Sequence, residues 1–430
     1  MVGTSSSDTL QGLMRRCLGG YKTPIFVVLI LLANRADAQP LGKQAPPMGW
    51  EPWNIDHCGN SYKWDEEYYK KLADFFAGSG LRDLGYQYLT IECGDHYRDK
   101  DGHIQPNPEK FPHGFKPMTD YIHKNGLKAR TYTDAGEGKC CCFEGSGSLG
   151  HYEDDARRWA EFGFDGVKID WCGGRGKGLD PKTQFSEFAA AMRKIHHAFC
   201  VEICCWGKGN PWEWGRNAGT FWRTSGDIDS TVSDICPAVS DTHSVVRMGG
   251  DWNILMRNLD GNRHPDTKYV GPGKGWNYAD GLVVGLPGGL NEIEERTQFS
   301  MWAIMASPLF LGDDVFNMPP YAKDIVMNKE VIAIDQDPLG VQGDVVKEYD
   351  KGELQAWVKP LKNGSKAVAL LNRAATSRQI TVNWSDLGIS GKWLVRDLWE
   401  HADKGKLTHY AVEVPSHGTA VLEISPLPKQ

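Results

Sequence analysis

The chain has 430 residues, 40% of them hydrophobic, and a formal net charge of −7 at pH 7. That hydrophobic fraction supports a sizeable core and excludes a predominantly disordered chain. The acidic balance argues against a nucleic-acid partner, because such proteins present a basic face. The length fits one large domain and one small domain. We expect most of the sixteen tryptophans and fifteen tyrosines in the core, although such rings also stack on sugars.

The N-terminal residues have the pattern of a secretion signal. Arg15 and Arg16 precede an apolar run at 24–33, which is shorter than the roughly 20 residues of a membrane span. Residues 36–38 then fit a small-x-small cleavage site. We therefore predict that residues 1–38 are a signal peptide, with an uncleaved anchor as the alternative. The mature chain is expected to be secreted or to reach a lysosome- or vacuole-like compartment, with no membrane partner.

Secretion changes how the cysteines are interpreted. Cys17 falls in the predicted signal, which leaves ten of the eleven cysteines in an oxidising compartment. Spacing alone does not give their connectivity. The adjacent cysteines 140–142 have no partnered C-x-x-C pair, so a disulfide is predicted for at least one of them, and no metal site is predicted. Asn363 and Asn383 lie in N-x-S tripeptides and are predicted glycosylation acceptors.

Helical patterns alternate with short apolar runs from about Pro46 to Asp337. In the first helix Asp65 is the predicted cap, and Gly78 and Gly80 are predicted to stop it. The elements that follow are a strand at 86–91, a strand at 127–133, a helix at 151–162, a strand at 167–169, helices at 185–199 and 292–306, and a strand at 309–311.

Six to eight such βα units over about 290 residues suit a (β/α)₈ TIM barrel, whose catalytic groups lie at the C-terminal strand ends. A doubly wound sheet is the competing fold, but it would need a dinucleotide fingerprint. Residues 145–150 fit G-x-G-x-x-G, yet the preceding strand ends about ten residues earlier. A nucleotide cofactor is therefore not expected. Four aspartates each follow a strand-like run, and they are Asp134, Asp170, Asp227 and Asp280.

After Gly340 short alternating runs replace the helices. They are 345–349, 354–360, 366–371, 379–382, 393–397 and 419–424, separated by turn residues that include Gly391 and Gly405. This pattern predicts a C-terminal antiparallel β-sandwich at 339–430, after a catalytic barrel at 39–338. Its main role is expected to be stability, with sugar binding as the alternative.

Asp170 and Asp227 are the predicted catalytic pair. Two carboxylates from different strand ends meet the needs of glycosidic bond cleavage, in which one attacks the anomeric carbon and the other protonates the leaving oxygen. Lys168 leaves the same side of a strand as Asp170 and is expected to keep it ionised. A purely structural ion pair is the alternative. Arg223 accompanies Asp227 and suits sugar hydroxyls, while Asp229 is a rival for the acid role.

Several motifs in order resemble glycoside hydrolase family 27, the α-galactosidase and α-N-acetylgalactosaminidase family. The similarity runs from about Pro46 through the β-domain. The motifs are Pro46–Trp50, Trp53-Asn54, Tyr132–Gly136, Ser148–Gly150, Lys168–Cys172, Gly275–Asn277, Asp280 and Gln336–Gly340.

The resemblance implies a retaining exo-glycosidase without a cofactor, with Asp170 as nucleophile and Asp227 as acid/base. It implies disulfides Cys140–Cys172 and Cys58–Cys93. Its substrate would be an oligosaccharide, polysaccharide or glycoconjugate with a terminal galactose-like sugar; whether the chain forms a homodimer stays open. The residues predicted to bind the sugar are Trp53, Glu92, Tyr132, Lys168, Cys205, Trp206, Arg223 and Asp280.

The chain also departs from the family pattern in its predicted pocket. Glu92-Cys93 stands where the family has two aspartates, and Cys205 stands where it has a glutamate. Gly281 replaces a methionine, and Gly219 replaces the usual partner of Cys204. Because Glu92 is one methylene longer, it is expected to crowd the sugar's hydroxymethyl group, an effect worth roughly 10- to 200-fold in selectivity. The alternatives to an α-galactosidase are therefore a β-L-arabinopyranosidase, an α-N-acetylgalactosaminidase and a non-catalytic sugar-binding protein.

Overall fold

The computed structural model describes Gly42 and residues 44–56, 62–92, 95–138, 140, 147–228, 250–263 and 269–428. The predicted signal at 1–38, the rival acid Asp229, and both Cys58 and Cys93 lie outside these residues. None of the described helices has the length and apolar character needed to cross a bilayer.

The first large region is built on a curled parallel sheet. Ten strands lie in the described residues before position 338: β1 (Met48–Trp50), β2 (Tyr88–Thr90), β3 (His96–Arg98), β4 (Ile104–Pro106), β5 (Lys128–Asp134), β6 (Gly166–Asp170), β7 (Cys200–Ile203), β8 (Phe221–Arg223), β9 (Trp276–Tyr278) and β10 (Leu309–Leu311). Eight of them are hydrogen-bonded in the order β10-β1-β2-β5-β6-β7-β8-β9, while β3 and β4 form a separate hairpin.

The eight-stranded sheet closes on itself. Leu282, just after β9, bridges Leu311 of β10 in parallel, and its amide donates to the Phe310 carbonyl at 2.7 Å. All eight strand pairs are thus parallel, and their C-terminal ends meet at one end of the barrel. The predicted (β/α)₈ barrel is confirmed.

The helices surround this sheet, and their ends follow local chemistry. They are α1 (Trp53–Asp56), α2 (Glu66–Ser79), α3 (Phe115–Lys124), α4 (Tyr152–Phe162), α5 (Cys172–Gly176), α6 (Pro181–Lys194), α7 (Pro211–Trp214), α8 (Trp252–Arg263), α9 (Glu292–Ile304), α10 (Pro320–Val326) and α11 (Lys329–Asp335). Asp65 caps α2 by accepting from the Tyr68 amide, and Gly80 ends it at φ 92°.

Two helix predictions were wrong in detail. Gly78 lies inside α2, because the left-handed conformation that ends this helix falls on Gly80. The helix expected at 185–199 is α6, which starts and ends earlier. Its cap Asp180 is followed by Pro181 at the first helical position, where proline's fixed φ favours helix initiation.

The second region is an antiparallel sandwich. Its strands are β11 (Asp344–Tyr349), β12 (Leu354–Pro360), β13 (Lys366–Asn372), β14 (Arg378–Asn383), β15 (Trp393–Asp397), β16 (Ala402–Leu407), β17 (His409–Val414) and β18 (Thr419–Pro426). Six form one sheet in the order β11-β12-β13-β18-β15-β16, and β14 pairs with β17 in a second. The predicted β-sandwich is therefore confirmed.

The sequence pattern missed β16 and β17. Gly405 was predicted to separate strands, but it lies in β16 opposite Val395, beside a bulge in the ladder. β16 is an edge strand whose residues are half-buried or exposed, so it lacks the alternation of apolar and polar residues that marks a strand packed on a core.

Side chains of β13 alternate between two cores. Val368 and Leu370 pack toward the second sheet of the sandwich. Ala369 and Leu371 point the other way and join the core that the barrel helices share. The sandwich also bonds directly to α9, because Lys359 Nζ donates to the Ala303 carbonyl at 3.1 Å. Helix α9 thus lies between the barrel and the second domain.

Candidate active site

Asp170 is the last residue of β6, and its two oxygens have different surroundings. The hydroxyl of Tyr132, on the neighbouring strand β5, donates to Oδ2 at 2.8 Å. Among the described residues, Oδ1 has no hydrogen-bond partner of ordinary geometry. Asp170 as a whole residue is 7% exposed. One oxygen is therefore held by the scaffold, and the other is buried without a hydrogen-bond donor of ordinary geometry.

Burial raises the pKa of Asp170 above its ordinary value, and the charge of Asp227 raises it further. The charge of Lys168, the Cys204 thiol and the Tyr132 hydroxyl oppose this shift. Lys168 was expected to keep Asp170 ionised, but its ion pairs are with Glu51 at 3.7 Å and Glu92 at 3.5 Å. Because the ammonium is committed to those carboxylates, it offsets only part of the burial of Asp170.

Arg223, at the end of β8, joins the other two predicted carboxylates. Its Nη2 lies 3.0 Å from Asp227 Oδ1, and its Nη1 lies 2.8 Å from Asp280 Oδ1. Nη1 also lies 3.8 Å from the sulfur of Cys204, which follows β7. The Asp227 side chain is 40% exposed, whereas those of Arg223 and Asp280 are buried. A buried cation therefore orients one exposed and one buried carboxylate.

Asp280 has an unusual backbone, with φ 98° in the left-handed region. Such strain costs about 1–3 kcal/mol and persists only where the surroundings impose it. Here the Ile228 amide donates to Asp280 Oδ2 at 2.7 Å, and Trp302 Nε1 on α9 donates to its carbonyl at 2.7 Å. Burial raises the pKa of the Asp280 carboxyl, against the opposing charge of Arg223. Asp280 thereby fixes the turn that carries Asp227.

Glu92 occupies the opposite end of this network. It is 2% exposed and lies two residues beyond β2. Burial raises its pKa to about 7, with Lys168 lowering and Glu51 raising it.

Glu51, the residue after β1, was missed by the sequence analysis. Its Oε1 accepts a hydrogen bond from Tyr278 at 3.0 Å. Its position after a buried strand was the one available signal, since the same rule marked Asp170.

A buried ion pair lies below these groups inside the barrel. Arg130 of β5 and Glu202 of β7 contact each other at 2.5 Å, and both side chains are fully buried. Arg130 also lies over the rings of Phe221 and Phe310.

The structure contains the disulfide Cys140–Cys172. Asp134 lies beside it and accepts from the amides of Gly136 at 2.5 Å and Gly173 at 3.2 Å. Burial, and then the charge of Asp170, raise its pKa to about 7. The ligand atoms of Asp134, Cys140 and Cys172 lie close enough for a metal ion. However, sulfurs bonded to each other offer no thiolate ligands, so Asp134 anchors the loop after β5 to the start of α5.

The remaining predicted site residues lie near the same end of the barrel. Trp53 is a half-buried residue of α1, and Trp206 is half-buried with φ 49° and the Arg175 guanidinium 5.9 Å from its ring. Cys205 is fully buried, and its thiol donates to the Lys208 carbonyl at 3.4 Å. Burial raises its pKa to about 12, so this sulfur stays protonated within its turn.

Cys204 is a free thiol among the described residues. Gly219 stands where the family has the usual partner of Cys204. A Cβ at Gly219 would lie 2.9 Å from the Ile203 side chain, so a larger residue would crowd Ile203 here.

Residues 45–337 match the family described as Alpha galactosidase A. Residues 351–424 match the Alpha galactosidase C-terminal beta sandwich domain. The chain belongs to glycoside hydrolase family 27.

The relatives that this chain resembles match it over most of its length. It is 37% identical to an alpha-galactosidase of Oryza sativa subsp. japonica, over 91% of this chain and 87% of the relative. It is 36% identical to Alpha-galactosidase A of Cellvibrio japonicus, over 93% and 97%. The structure of alpha-galactosidase I from Mortierella vinacea superposes with a TM-score of 0.77 at 32% identity, covering 89% of this chain and 97% of that one.

The Arg130–Glu202 pair leads to a prediction about stability. Glu202→Leu leaves Arg130 charged and unpaired in the barrel, because a guanidinium does not give up its proton. We expect the free energy of unfolding in urea at pH 7 to fall by about 3–5 kcal/mol. Arg130→Met combined with Glu202→Leu should recover most of that loss, since apolar side chains replace both charges.

Glu353→Leu, at an exposed position, is the matched control and should change stability by no more than about 0.5 kcal/mol. A double variant as unstable as Glu202→Leu alone would contradict this account of the pair.

Proposed function

We propose that this chain is a retaining exo-glycosidase that hydrolyses terminal α-D-galactosides through a covalent glycosyl-enzyme. The observation that carries the proposal is that two carboxylates of different environment end or follow strands of one barrel, and that the charge of one raises the pKa of the other. Asp170 is buried with one unpartnered oxygen, and Asp227 is exposed and held by Arg223. Retaining glycosidases use such a pair as nucleophile and acid/base. The α-galactosidase names of the relatives support this choice of sugar.

In the first step, Asp170 Oδ1 attacks the anomeric carbon. Tyr132 holds the other oxygen of this carboxylate, so the attacking lone pair has a fixed direction. The bond from the anomeric carbon to the leaving oxygen breaks, and that oxygen takes the proton of Asp227. In the second step Asp227 removes a proton from water, the water oxygen bonds to the anomeric carbon, and Asp170 is released as a carboxylate.

Burial and exposure fit these two roles. The nucleophile is shielded, which favours a single attack geometry over contact with bulk water. The acid/base group must exchange a leaving group for a water molecule, and the 40% exposure of Asp227 gives both a route to it. Arg223 keeps the Asp227 side chain in place through a charge-assisted contact of 3.0 Å.

Glu92 favours β-L-arabinopyranosides as a second candidate substrate. Its longer side chain reaches to 3.5 Å from Lys168 and is almost fully buried. The resemblance assigns this end of the pocket to the 4- and 6-hydroxyls of the sugar. L-arabinopyranose has the ring of galactose without the hydroxymethyl group, so it avoids the atoms that Glu92 would crowd.

The choice between the two sugars is tested by kcat/KM on p-nitrophenyl α-D-galactopyranoside and p-nitrophenyl β-L-arabinopyranoside. We expect the galactoside to be the better substrate. Glu92→Asp, which shortens the side chain, should raise the galactoside-to-arabinoside ratio by roughly 10- to 200-fold. A wild-type preference for the arabinopyranoside would replace the galactoside as the proposed substrate.

Asp170→Asn removes the attacking carboxylate at nearly constant volume. We expect turnover to fall below detection while the thermal unfolding midpoint remains within a few degrees of wild type. The matched control is Asp260→Asn, at an exposed position on α8, which should retain full activity. Turnover by the Asp170 variant would show that another residue is the nucleophile.

Asp227→Ala should separate substrates by their leaving groups. A good leaving group such as dinitrophenolate departs without a proton, so its glycosyl-enzyme should still form in a burst measured by stopped flow. Poorly activated alkyl galactosides should lose at least about 100-fold in kcat/KM. Equal losses on both substrate types would exclude Asp227 as the acid.

A further inference from the structure

Glu51 is a second buried carboxylate at the Glu92 end of the pocket. It follows β1 directly, and its amide donates to the Leu311 carbonyl at 3.0 Å, which fixes its backbone at the C-terminal end of the barrel. It is 2% exposed. Its side chain meets Tyr278 through Oε1 and faces Lys168 through Oε2.

Gly281 leaves the space that Glu51 occupies. A Cβ at position 281 would lie 2.9 Å from Glu51 Oε1 and 3.1 Å from Asn54 Nδ2. Gly281 is not among the residues with positive φ, so its backbone does not itself require glycine. The departure from the family's methionine at this position is thus coupled in space to the presence of Glu51.

Lys168 lies between two carboxylates and approaches neither of them closely. Its Nζ lies 3.7 Å from Glu51 Oε2 and 3.5 Å from Glu92 Oε1, both beyond the usual 2.7–3.2 Å of a hydrogen bond. Among the described residues, Glu51 Oε2 and Glu92 Oε2 have no hydrogen-bond partner. Buried acceptors without donors are costly, so this end of the pocket is complementary to a ligand that donates hydrogen bonds.

Hydroxyl groups supply the required chemistry, because each one both donates and accepts. One hydroxyl can accept from the Lys168 ammonium and donate to Glu92. A neighbouring hydroxyl can accept from the same ammonium and donate to Glu51. Among the described residues, the charged and titratable groups that interact with Glu51 include Arg130, Lys168, Glu92, Glu202, Tyr278 and Asp280.

We propose that Glu51 is a specificity-determining residue which, with Glu92 and Lys168, binds two neighbouring hydroxyls of the sugar. The inference rests on the proposed function of the same pocket and narrows its substrates. The pocket selects pyranosides whose two adjacent hydroxyls at this end are unsubstituted. A deoxy or O-methyl group at either position leaves a buried carboxylate oxygen without its donor.

The test combines changes in the enzyme with changes in the sugar. The substrates are p-nitrophenyl α-D-galactoside and its analogues that lack the hydroxyl at C2, C3, C4 or C6. For wild-type protein, we expect loss of the hydroxyl that faces Glu51 to lower kcat/KM by about 100-fold. In the Glu51→Leu variant, loss of the same sugar hydroxyl should lower kcat/KM by less than about 10-fold. Loss of the hydroxyls far from Glu51 should lower kcat/KM as much as it does in wild type.

In Glu92→Leu, loss of the neighbouring hydroxyl that faces Glu92 should likewise cost less than it does in wild type. Gly281→Ala gives an independent variant if Glu51→Leu does not fold, because its methyl group displaces the Glu51 carboxylate without deleting it. It should reproduce the Glu51→Leu pattern. Glu353→Leu on the surface is the control and should keep the wild-type penalties at every position.

Two outcomes overturn the inference, and only the first of them leaves the proposed function intact. In the first outcome, wild type hydrolyses the parent galactoside, and loss of each hydroxyl lowers kcat/KM equally in wild type and in Glu51→Leu. That result would show that Glu51 does not determine specificity, and it would leave the glycosidase proposal intact. Wild type that hydrolyses none of these substrates would contradict both proposals. A merely structural role for Glu51 would lower all rates by one factor and would not single out a ring position.

Discussion

The site depends on the ion pairs that the buried guanidinium of Arg223 forms with Asp227 and Asp280. A cation at the end of a barrel strand needs compensation, because removing it from water is expensive. Asp280 provides that compensation at 2.8 Å from inside the barrel, and Asp227 does so at 3.0 Å from the exposed side. The same requirement therefore positions the proposed acid/base group and keeps Asp280 in a strained backbone conformation.

A related constraint shapes the other end of the pocket. Lys168 has two carboxylates within ion-pair range, at 3.7 Å and 3.5 Å, and neither lies within the usual 2.7–3.2 Å of a hydrogen bond. The result is an end of the site at which Glu51 Oε2 and Glu92 Oε2 have no hydrogen-bond partner among the described residues. The site thus combines a side built on Arg223, where we place catalysis, with a side whose polar groups we propose that a sugar completes.

The barrel and sandwich were predictable because their signals are local. Apolar runs alternate with helical periods, and Asp65 and Gly80 each mark one end of α2 through their own local conformation. The candidate carboxylates were also accessible, since Asp170 closes a buried strand and the family motifs surround it. β16 escaped prediction because an edge strand has little need of an apolar face, as the exposure of its residues shows.

The importance of Glu51 could not be derived from the sequence, because it arises only when distant segments meet. Its partners are 117 residues away at Lys168 and 227 residues away at Tyr278. The direction of the pKa shift of Asp170 could not be predicted from the sequence for the same reason. Lys168 is two residues away along the strand, yet its ammonium pairs with Glu51 and Glu92, which follow other strands. The burial that raises the pKa of Asp170 depends on the closed barrel.

We propose that Asp170 and Asp227 act on one sugar ring in two successive displacements. The most direct measurement is the ¹H NMR spectrum of the first sugar released from an α-galactoside, recorded before mutarotation. Two displacements regenerate the starting configuration, so the account predicts that α-galactose appears first. Initial release of β-galactose would mean a single displacement by water, and it would contradict the covalent role of Asp170.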